Sequence, residues 1–215
     1  MIFQDWYVRF KKSGRTRYYV VGGIILFIVV ADVIGYRWYA HRYNDRAQLA
    51  LSQAVELLER AARGNAETLW KEAEGSFRDA YQRYPKSLVA PYLLSFWADT
   101  LLHGGDMVRA LDLMNKAVGS LSKSSPFYHA MLVKRALMRM DAANAALVAE
   151  GKKELHELTQ DKANKSRDEA LYFEGLVAFD AGNRAEAQRV WQELFTAFGD
   201  SVWSKVAQAK LEYRI

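Results

Sequence analysis

The chain has 215 residues, of which 51% are hydrophobic and none is cysteine. Enough apolar residues are present to form a packed core, so an intrinsically disordered chain is not expected. The absence of cysteine excludes a disulfide scaffold, a thiolate zinc site and a cysteine nucleophile.

The formal net charge of +5 is concentrated at the N-terminal end. Residues 1–46 contain eight of the 30 Lys and Arg and three of the 25 Asp and Glu, which leaves 22 residues of each sign in the remainder. A nucleic-acid binder needs cations spread along a contact face, so we expect no nucleic-acid partner. The basic excess flanks one apolar segment, which is where membrane anchors carry it.

The first predicted element is a single transmembrane helix over residues 18–40. Tyr18 to Ala31 is free of charge, Asp32 interrupts the run, and Val33 to Tyr36 extends it to 19 residues. A helix of that length spans about 28 Å, close to the ~30 Å of a hydrocarbon core. Aromatic residues occur at both ends of the segment, as in the interfacial belts of spanning helices.

A cleaved signal peptide is the main alternative, with Val29-Val30-Ala31 as its cleavage site. The apolar pattern resumes after Asp32, however, and this favours an uncleaved anchor. Five Lys or Arg precede the span within ten residues and three follow it, so the positive-inside rule predicts a cytoplasmic N-terminus. Residues 1–17 would then be a basic cytoplasmic arm, and the bulk of the chain would lie on the opposite side.

Gly22, Gly23 and Asp32 are candidates for contact with another membrane protein. Two interpretations of Asp32 remain open. It lies about one turn below the outer interface, where it reaches water or Arg37, or it faces another transmembrane helix, because intramembrane acids are costly. The two glycines would let a partner helix approach closely, or they are glycines without a partner.

Residues 41–215 are predicted to form an all-α domain of helix pairs. Apolar residues recur at spacings of three and four, as in "LALSQAVELLERA", and no alternating strand pattern occurs. The first helix, roughly residues 39–63, is able to continue from the span. The C-terminal "SVWSKVAQAKLEYRI" is predicted to be a helix that caps the last open face.

A repeated register supports about four such pairs. Gly175 and Ala187 are twelve residues apart, and Trp191 and a terminal Gly199 follow. Matching positions recur in "FWADTLLHGGDMVRALDLMNKAV" and in "WKEAEGSFRDAYQRYPKS", whereas a pair around residues 126–160 is degenerate. Small residues allow two helices to cross closely, and a large residue fills the gap to the next pair. The predicted repeat-packing residues are Ala73, Phe77, Ala80, Ala110, Ala117, Gly175, Ala187 and Trp191.

A basic arm, one span ending in "GYRWYAHR" and a degenerate tetratricopeptide-like domain together resemble the bacterial ancillary SecYEG translocon subunit family. "GLVAFDAGNRAEAQRVW" and "AKLEYRI" are similar to that family's last repeat and tail, whereas the arm is shorter and the first repeat carries a longer loop, "RGNAETLW". The resemblance implies an inner-membrane protein with a periplasmic solenoid. Its partners would be translocon subunits, a membrane-anchored periplasmic chaperone and emerging secreted proteins.

No sequence motif indicates chemistry of its own. The four histidines lack metal-ligand spacing, and no nucleophile elbow or phosphate loop is present. "HGGD" at 103–106 predicts a turn between helices, and "ELHEL" at 154–158 predicts a solvated face. We therefore expect no enzyme activity, cofactor, metal or small-molecule substrate.

The function class stays open between two kinds of interaction protein. One is the export adaptor that the resemblance implies, and the other is a membrane-anchored scaffold for a different cell-envelope assembly complex, because a fold alone does not select partners. Trp70, Trp97, Trp191 and Trp203 are interpreted as solenoid core, with a partner-binding groove as the alternative position for some of them.

Overall fold

The computed structural model describes residues 14–64 and 66–212. Most of the predicted basic arm, residues 1–13, lies outside the described residues, as do Asn65 and the last three residues of the "AKLEYRI" tail. Within the described ranges the chain forms nine α-helices and no strand. The predicted all-α class is therefore confirmed.

The nine helices form four consecutive pairs and one terminal helix. They are α1 (Gly14–Gly64), α2 (Glu67–Arg83), α3 (Ala90–His103), α4 (Met107–Ser120), α5 (Tyr128–Met140), α6 (Ala145–Gln160), α7 (Arg167–Asp180), α8 (Arg184–Ala197) and α9 (Val202–Glu212). Each odd-numbered helix from α1 to α7 packs against the helix that follows it, and neighbouring pairs pack against each other. Helix α9 packs on α7 and α8. This arrangement is the predicted tetratricopeptide-like solenoid with its capping helix.

Helix α1 is 51 residues long and has two different surroundings. Tyr18, Tyr19 and residues 21–39 are exposed, whereas Ala47, Ala54 and Ala61 are completely buried. These alanines are seven residues apart, which is two helical turns, so they form one stripe. Because an alanine side chain is short, the stripe lets α2 approach α1 closely. The first helix of the solenoid thus continues without a break from the apolar segment.

Two helix pairs are closed by the same kind of turn. Gly105 and Gly182 have φ angles of 81° and 78°, in the left-handed region that a side chain disfavours. The next residue, Asp106 or Asn183, caps the following helix: its side-chain oxygen accepts a backbone N–H three residues later, at 3.1 Å and 3.3 Å respectively. The "HGGD" segment is therefore a turn between helices, as predicted.

The prediction of a long loop at "RGNAETLW" is wrong. Helix α1 extends to Gly64 and α2 begins at Glu67, so only residues 65–66 connect them. Ala66 has an extended backbone with φ −94° and ψ 123°, which is suited to the position before a helix. Glu67 then lies in the first turn of α2, where a negative charge interacts favourably with the helix dipole.

All eight predicted repeat-packing residues are buried. Gly175 on α7 faces the indole of Trp191 on α8, and a methyl group at Gly175 would lie 2.5 Å from Trp191 Cδ1 and 2.8 Å from Cε2. The indole N–H also donates a hydrogen bond of 3.1 Å to the carbonyl oxygen of Tyr172. The indole of Trp191 thus occupies the space that is free because Gly175 has no side chain.

Candidate functional site

A groove of about 350 Å³ crosses the first helices of three consecutive pairs, α3, α5 and α7. Its walls include four aromatic side chains and two charged ones. We call it the first-helix groove, and these six residues are Tyr92, Phe96, Phe127, Lys134, Glu169 and Phe173. A surface shared by three pairs is the kind of extended binding surface that solenoids form by stacking.

The groove arises from side chains four residues apart on each helix, which share one face. Helix α3 contributes Tyr92 and Phe96, and α7 contributes Glu169 and Phe173. Ala130 of α5 lies between them and has a small side chain. The space that it leaves between the two rows of larger side chains is the groove.

Phe127 lies immediately before α5 at the edge of the groove. Its ring meets Tyr92 edge-on, with 5.3 Å between ring centroids, and 51% of the residue is exposed. A phenylalanine that is half exposed presents apolar area that a bound partner could cover. On the opposite side, Phe173 is supported from behind by Trp203 of α9, at 5.3 Å between centroids.

The ammonium of Lys134 already has an ion-pair partner and a hydrogen-bond acceptor in the groove wall. Its ammonium donates to the carboxylate of Asp99 at 2.6 Å and to the hydroxyl of Ser95 at 2.8 Å, and it lies 5.4 Å from the centroid of the Phe96 ring. Burial raises the pKa of Asp99, and the ammonium of Lys134 opposes that rise. This cation and this acid neutralise each other.

Glu169 is the uncompensated charge of the groove. Among residues 14–64 and 66–212, its half-buried carboxylate makes no hydrogen bond or ion pair, and its oxygen atoms still reach solvent. Burial, and secondarily the charge of Asp168, raise the pKa of Glu169 to about 7. Asp168 accepts a hydrogen bond of 2.6 Å from the hydroxyl of Ser201 and so points toward α9.

The raised pKa of Glu169 predicts a pH dependence of stability. Between the ordinary value of 4.5 and about 7, the folded protein retains a proton that the unfolded chain has released, so stability decreases as pH rises through this range. Glu169→Gln cannot ionise, and its melting temperature should fall less than that of the wild type. Thermal unfolding of the full chain in detergent, followed by circular dichroism at constant ionic strength, measures both slopes. Equal slopes would contradict the assignment, and Glu157→Gln on an exposed site is the control.

A larger cavity of about 490 Å³ lies between α2 and the turn that joins α3 to α4. Its charged rim is fully paired, and the indole of Trp70 stacks on His103 with 3.7 Å between ring centroids. The ion pairs are Lys71–Glu67 at 2.7 Å, Arg109–Asp106 at 3.2 Å and Arg109–Glu74 at 3.6 Å. We therefore regard this cavity as part of the repeat packing, and the first-helix groove as the better candidate site.

None of the four tryptophans considered from sequence lines the first-helix groove. Trp191 is completely buried, and Trp97 and Trp203 pack against core clusters. The aromatic residues of the groove were missed because they are interspersed with core residues on the same helices. Their spacing of four on α3, together with the exposed Phe127 before α5, is the signal that could have revealed them.

The prediction that "ELHEL" forms a solvated face is wrong for Glu154. This carboxylate forms ion pairs with Arg135 and, at 2.6 Å, with Arg139 of α5, and its side chain is only 13% exposed. His156 Nδ1 instead lies 2.6 Å from a carboxylate oxygen of Glu174 on α7, and Glu157 is exposed. Consecutive helical positions thus face different neighbours, and among the described residues no three metal-binding side chains converge.

The three predicted membrane-contact residues lie on the exposed part of α1. Nothing lies within 4 Å of a side chain built at Gly22 or Gly23, and Asp32 is exposed. In the described part of the chain, Asp32 makes no ion pair with Arg37. Helix α1 is long and apolar enough to cross a membrane, and both interpretations of Asp32 stay open.

The solenoid contacts α1 directly after the apolar segment. Tyr43 packs edge-on against Tyr84, with 5.3 Å between centroids, and its hydroxyl accepts the backbone N–H of Lys86 at 3.4 Å. The side-chain oxygen of Asn44 accepts the backbone N–H of Leu88 at 2.8 Å. These contacts join α1 to the loop between α2 and α3 directly after the apolar segment.

No protein-family model matches this chain, and no curated protein matches it. The crystal structure of a tetratricopeptide repeat protein from Parabacteroides merdae is similar to it, with 20% sequence identity and a TM-score of 0.48. The similarity covers 75% of this chain and 59% of the other, so this chain spans less than two thirds of that structure.

Proposed function

We propose that this chain is a membrane-anchored protein–protein interaction adaptor without enzymatic activity. Its apolar helix α1 would cross the bacterial inner membrane once, with the N-terminus in the cytoplasm and the helix pairs in the periplasm. Its partners would be subunits of the Sec translocon, a periplasmic chaperone and emerging secreted proteins. The association with the translocon rests on the resemblance described from the sequence.

The observation that carries the proposal is the continuity of α1. One helix of 51 residues contains both the exposed apolar segment and the buried stripe that packs against α2. A helix that continues from the membrane segment into the first helix pair would hold the first-helix groove close to the bilayer. Tethering raises the local concentration of a binding surface, so even weak contacts with proteins leaving a translocon would be populated.

A scaffold for a different cell-envelope assembly complex is the second candidate. The same anchor and the same groove would serve it, because solenoids of one architecture bind many partners. The two candidates differ only in the proteins that they predict next to the groove and next to residue 32.

In-cell crosslinking distinguishes these candidates. A photoreactive amino acid is placed at Asp32 in the apolar helix and at Phe127 in the groove, and captured proteins are identified by mass spectrometry of detergent-solubilised complexes. Val108 on α4 is 81% exposed and lies outside the groove, so it is the matched control position. We expect translocon subunits at position 32, and a chaperone or secreted proteins at position 127.

Other results would change or remove the proposal. Capture of cell-wall or outer-membrane assembly proteins at both positions would replace the export role with the second candidate. Capture at position 127 that is identical to the control would contradict an interaction role for the groove. Release by carbonate of a mature form that begins near Asp32 would contradict the anchor.

A further inference from the structure

We propose that the first-helix groove binds an arginine side chain of a partner protein, with Glu169 as its counter-ion and the surrounding aromatic rings as its walls. This inference rests on the proposed function, because it names the chemistry of the partner segment that the adaptor would hold. It is carried by the geometry of the groove and by its charges.

The first argument is the uncompensated carboxylate. Taking a carboxylate even partly out of water is costly when no cation or hydrogen-bond donor compensates it. Glu169 has no such partner in the part of the chain that the structure describes, although it lines a cavity of about 350 Å³. Burial disfavours its charged form and raises its pKa. A cation placed in the groove would reverse that effect.

The second argument is the aromatic lining. Phe173 lies one turn from Glu169 on α7, and Tyr92, Phe96 and Phe127 form the facing wall. A guanidinium group is planar and weakly hydrated, so it can stack on an aromatic face while it donates two hydrogen bonds to a carboxylate. The groove already holds one cation in this manner, since the ammonium of Lys134 lies over the Phe96 ring.

The third argument concerns the sign of the partner charge. Lys134 is the cation of the groove lining, and it is bonded to Asp99 and to Ser95. An acidic partner segment would have to compete with the Asp99 carboxylate and would also approach the unpaired Glu169. An arginine would neither compete with Asp99 nor be repelled by Glu169, because Glu169 is not paired with a cation in the described chain. Charge complementarity therefore selects a basic segment.

The apolar rim defines the residues next to that arginine. Phe127 is half exposed at the edge of the groove, and Met131 and Leu137 of α5 line it further along. An arginine flanked by leucines would cover this apolar area while its guanidinium reached the carboxylate. The inferred ligand class is thus an apolar segment of a protein with one central arginine.

The test uses three fluorescent probe peptides and the full chain in detergent at pH 8. The probes are acetyl-Gly-Leu-X-Leu-Gly-amide with X as arginine, as citrulline or as glutamate. Citrulline has nearly the shape of arginine without its charge, so it isolates the ion pair. We expect saturable binding of the arginine peptide by fluorescence anisotropy, with about tenfold weaker binding of the citrulline peptide, as one ion pair of moderate strength implies.

Two variants and one control assign the site. Glu169→Gln should lower the affinity for the arginine peptide about tenfold and leave the affinity for the citrulline peptide unchanged. Phe127→Ala should lower the affinity for both peptides. Glu157→Gln, an exposed acid on α6, should change neither. Melting temperatures establish that each variant is folded, and both groove substitutions are at half-buried or exposed positions where folding should persist.

Several outcomes would overturn the inference. These are no saturable binding of the arginine peptide, equal affinity for arginine and citrulline, unchanged affinity in Glu169→Gln, or tighter binding of the glutamate peptide. The result is independent of the crosslinking experiment. Arginine-selective binding without a captured partner at position 127 would retain the site and remove the adaptor role, and the reverse result would retain the adaptor role and remove the site.

Discussion

Replacing Gly175 with alanine is expected to destabilise the protein by about 3 kcal/mol, which lowers its melting temperature by roughly 6–12 °C for a chain of this size. The added methyl group would lie 2.5 Å from Trp191 Cδ1, well inside van der Waals contact. The indole is completely buried and hydrogen-bonded to Tyr172. It can move aside only by opening the contact between α7 and α8.

A second glycine on the same fold is the control for this experiment. Gly119 near the end of α4 is exposed, and no atom lies within 4 Å of a side chain built there. Gly119→Ala should be neutral or stabilise by up to about 1 kcal/mol, because alanine favours the helix over glycine. Thermal unfolding of both variants, followed by circular dichroism and tryptophan fluorescence, measures the difference. Similar melting temperatures for the two variants would show that the crossing of α7 and α8 is not as close as described.

Replacing Glu154 with alanine should cost about 3 kcal/mol of stability, since removal of one member of a mostly buried ion pair leaves the other uncompensated. Two arginines then lose the carboxylate that they share. These are Arg135 and Arg139, whose side chains are 20% and 21% exposed. Glu154→Gln retains the shape and some hydrogen bonding, so its cost should be smaller. The network joins α5 to α6, the pair whose sequence register is degenerate.

Glu157 on the same helix provides the matched comparison. Its carboxylate lies 3.9 Å from Lys153, and both side chains are largely exposed. Exposed pairs contribute little because water screens them, so Glu157→Ala should change stability by no more than about 0.5 kcal/mol. Denaturant titrations of the two alanine variants give the two free energies of unfolding. A loss in Glu154→Ala as small as that in Glu157→Ala would mean that the three-residue network contributes nothing beyond a surface pair.

Local features of the chain were sufficient to predict the helices and their pairing. The spacing of small and large residues from Ala73 to Trp191 indicated the repeats, because two helices can cross closely only where a side chain is absent or short. The Gly-Asp and Gly-Asn pairs indicated the turns, because a positive φ and a side-chain cap are requirements of a few adjacent residues. The apolar segment after residue 18 likewise follows from composition along one stretch.

Features that depend on the relation between distant residues were decided only by the tertiary structure. The first-helix groove combines α3, α5 and α7, and no local pattern specifies which faces of three separate helices will meet. The same reason explains Glu154, which the sequence assigned to a solvated face and the fold turns toward α5. The unpaired charge of Glu169 is also a tertiary property, because only the packing of its neighbours half-buries this carboxylate and leaves it without a cation among the described residues.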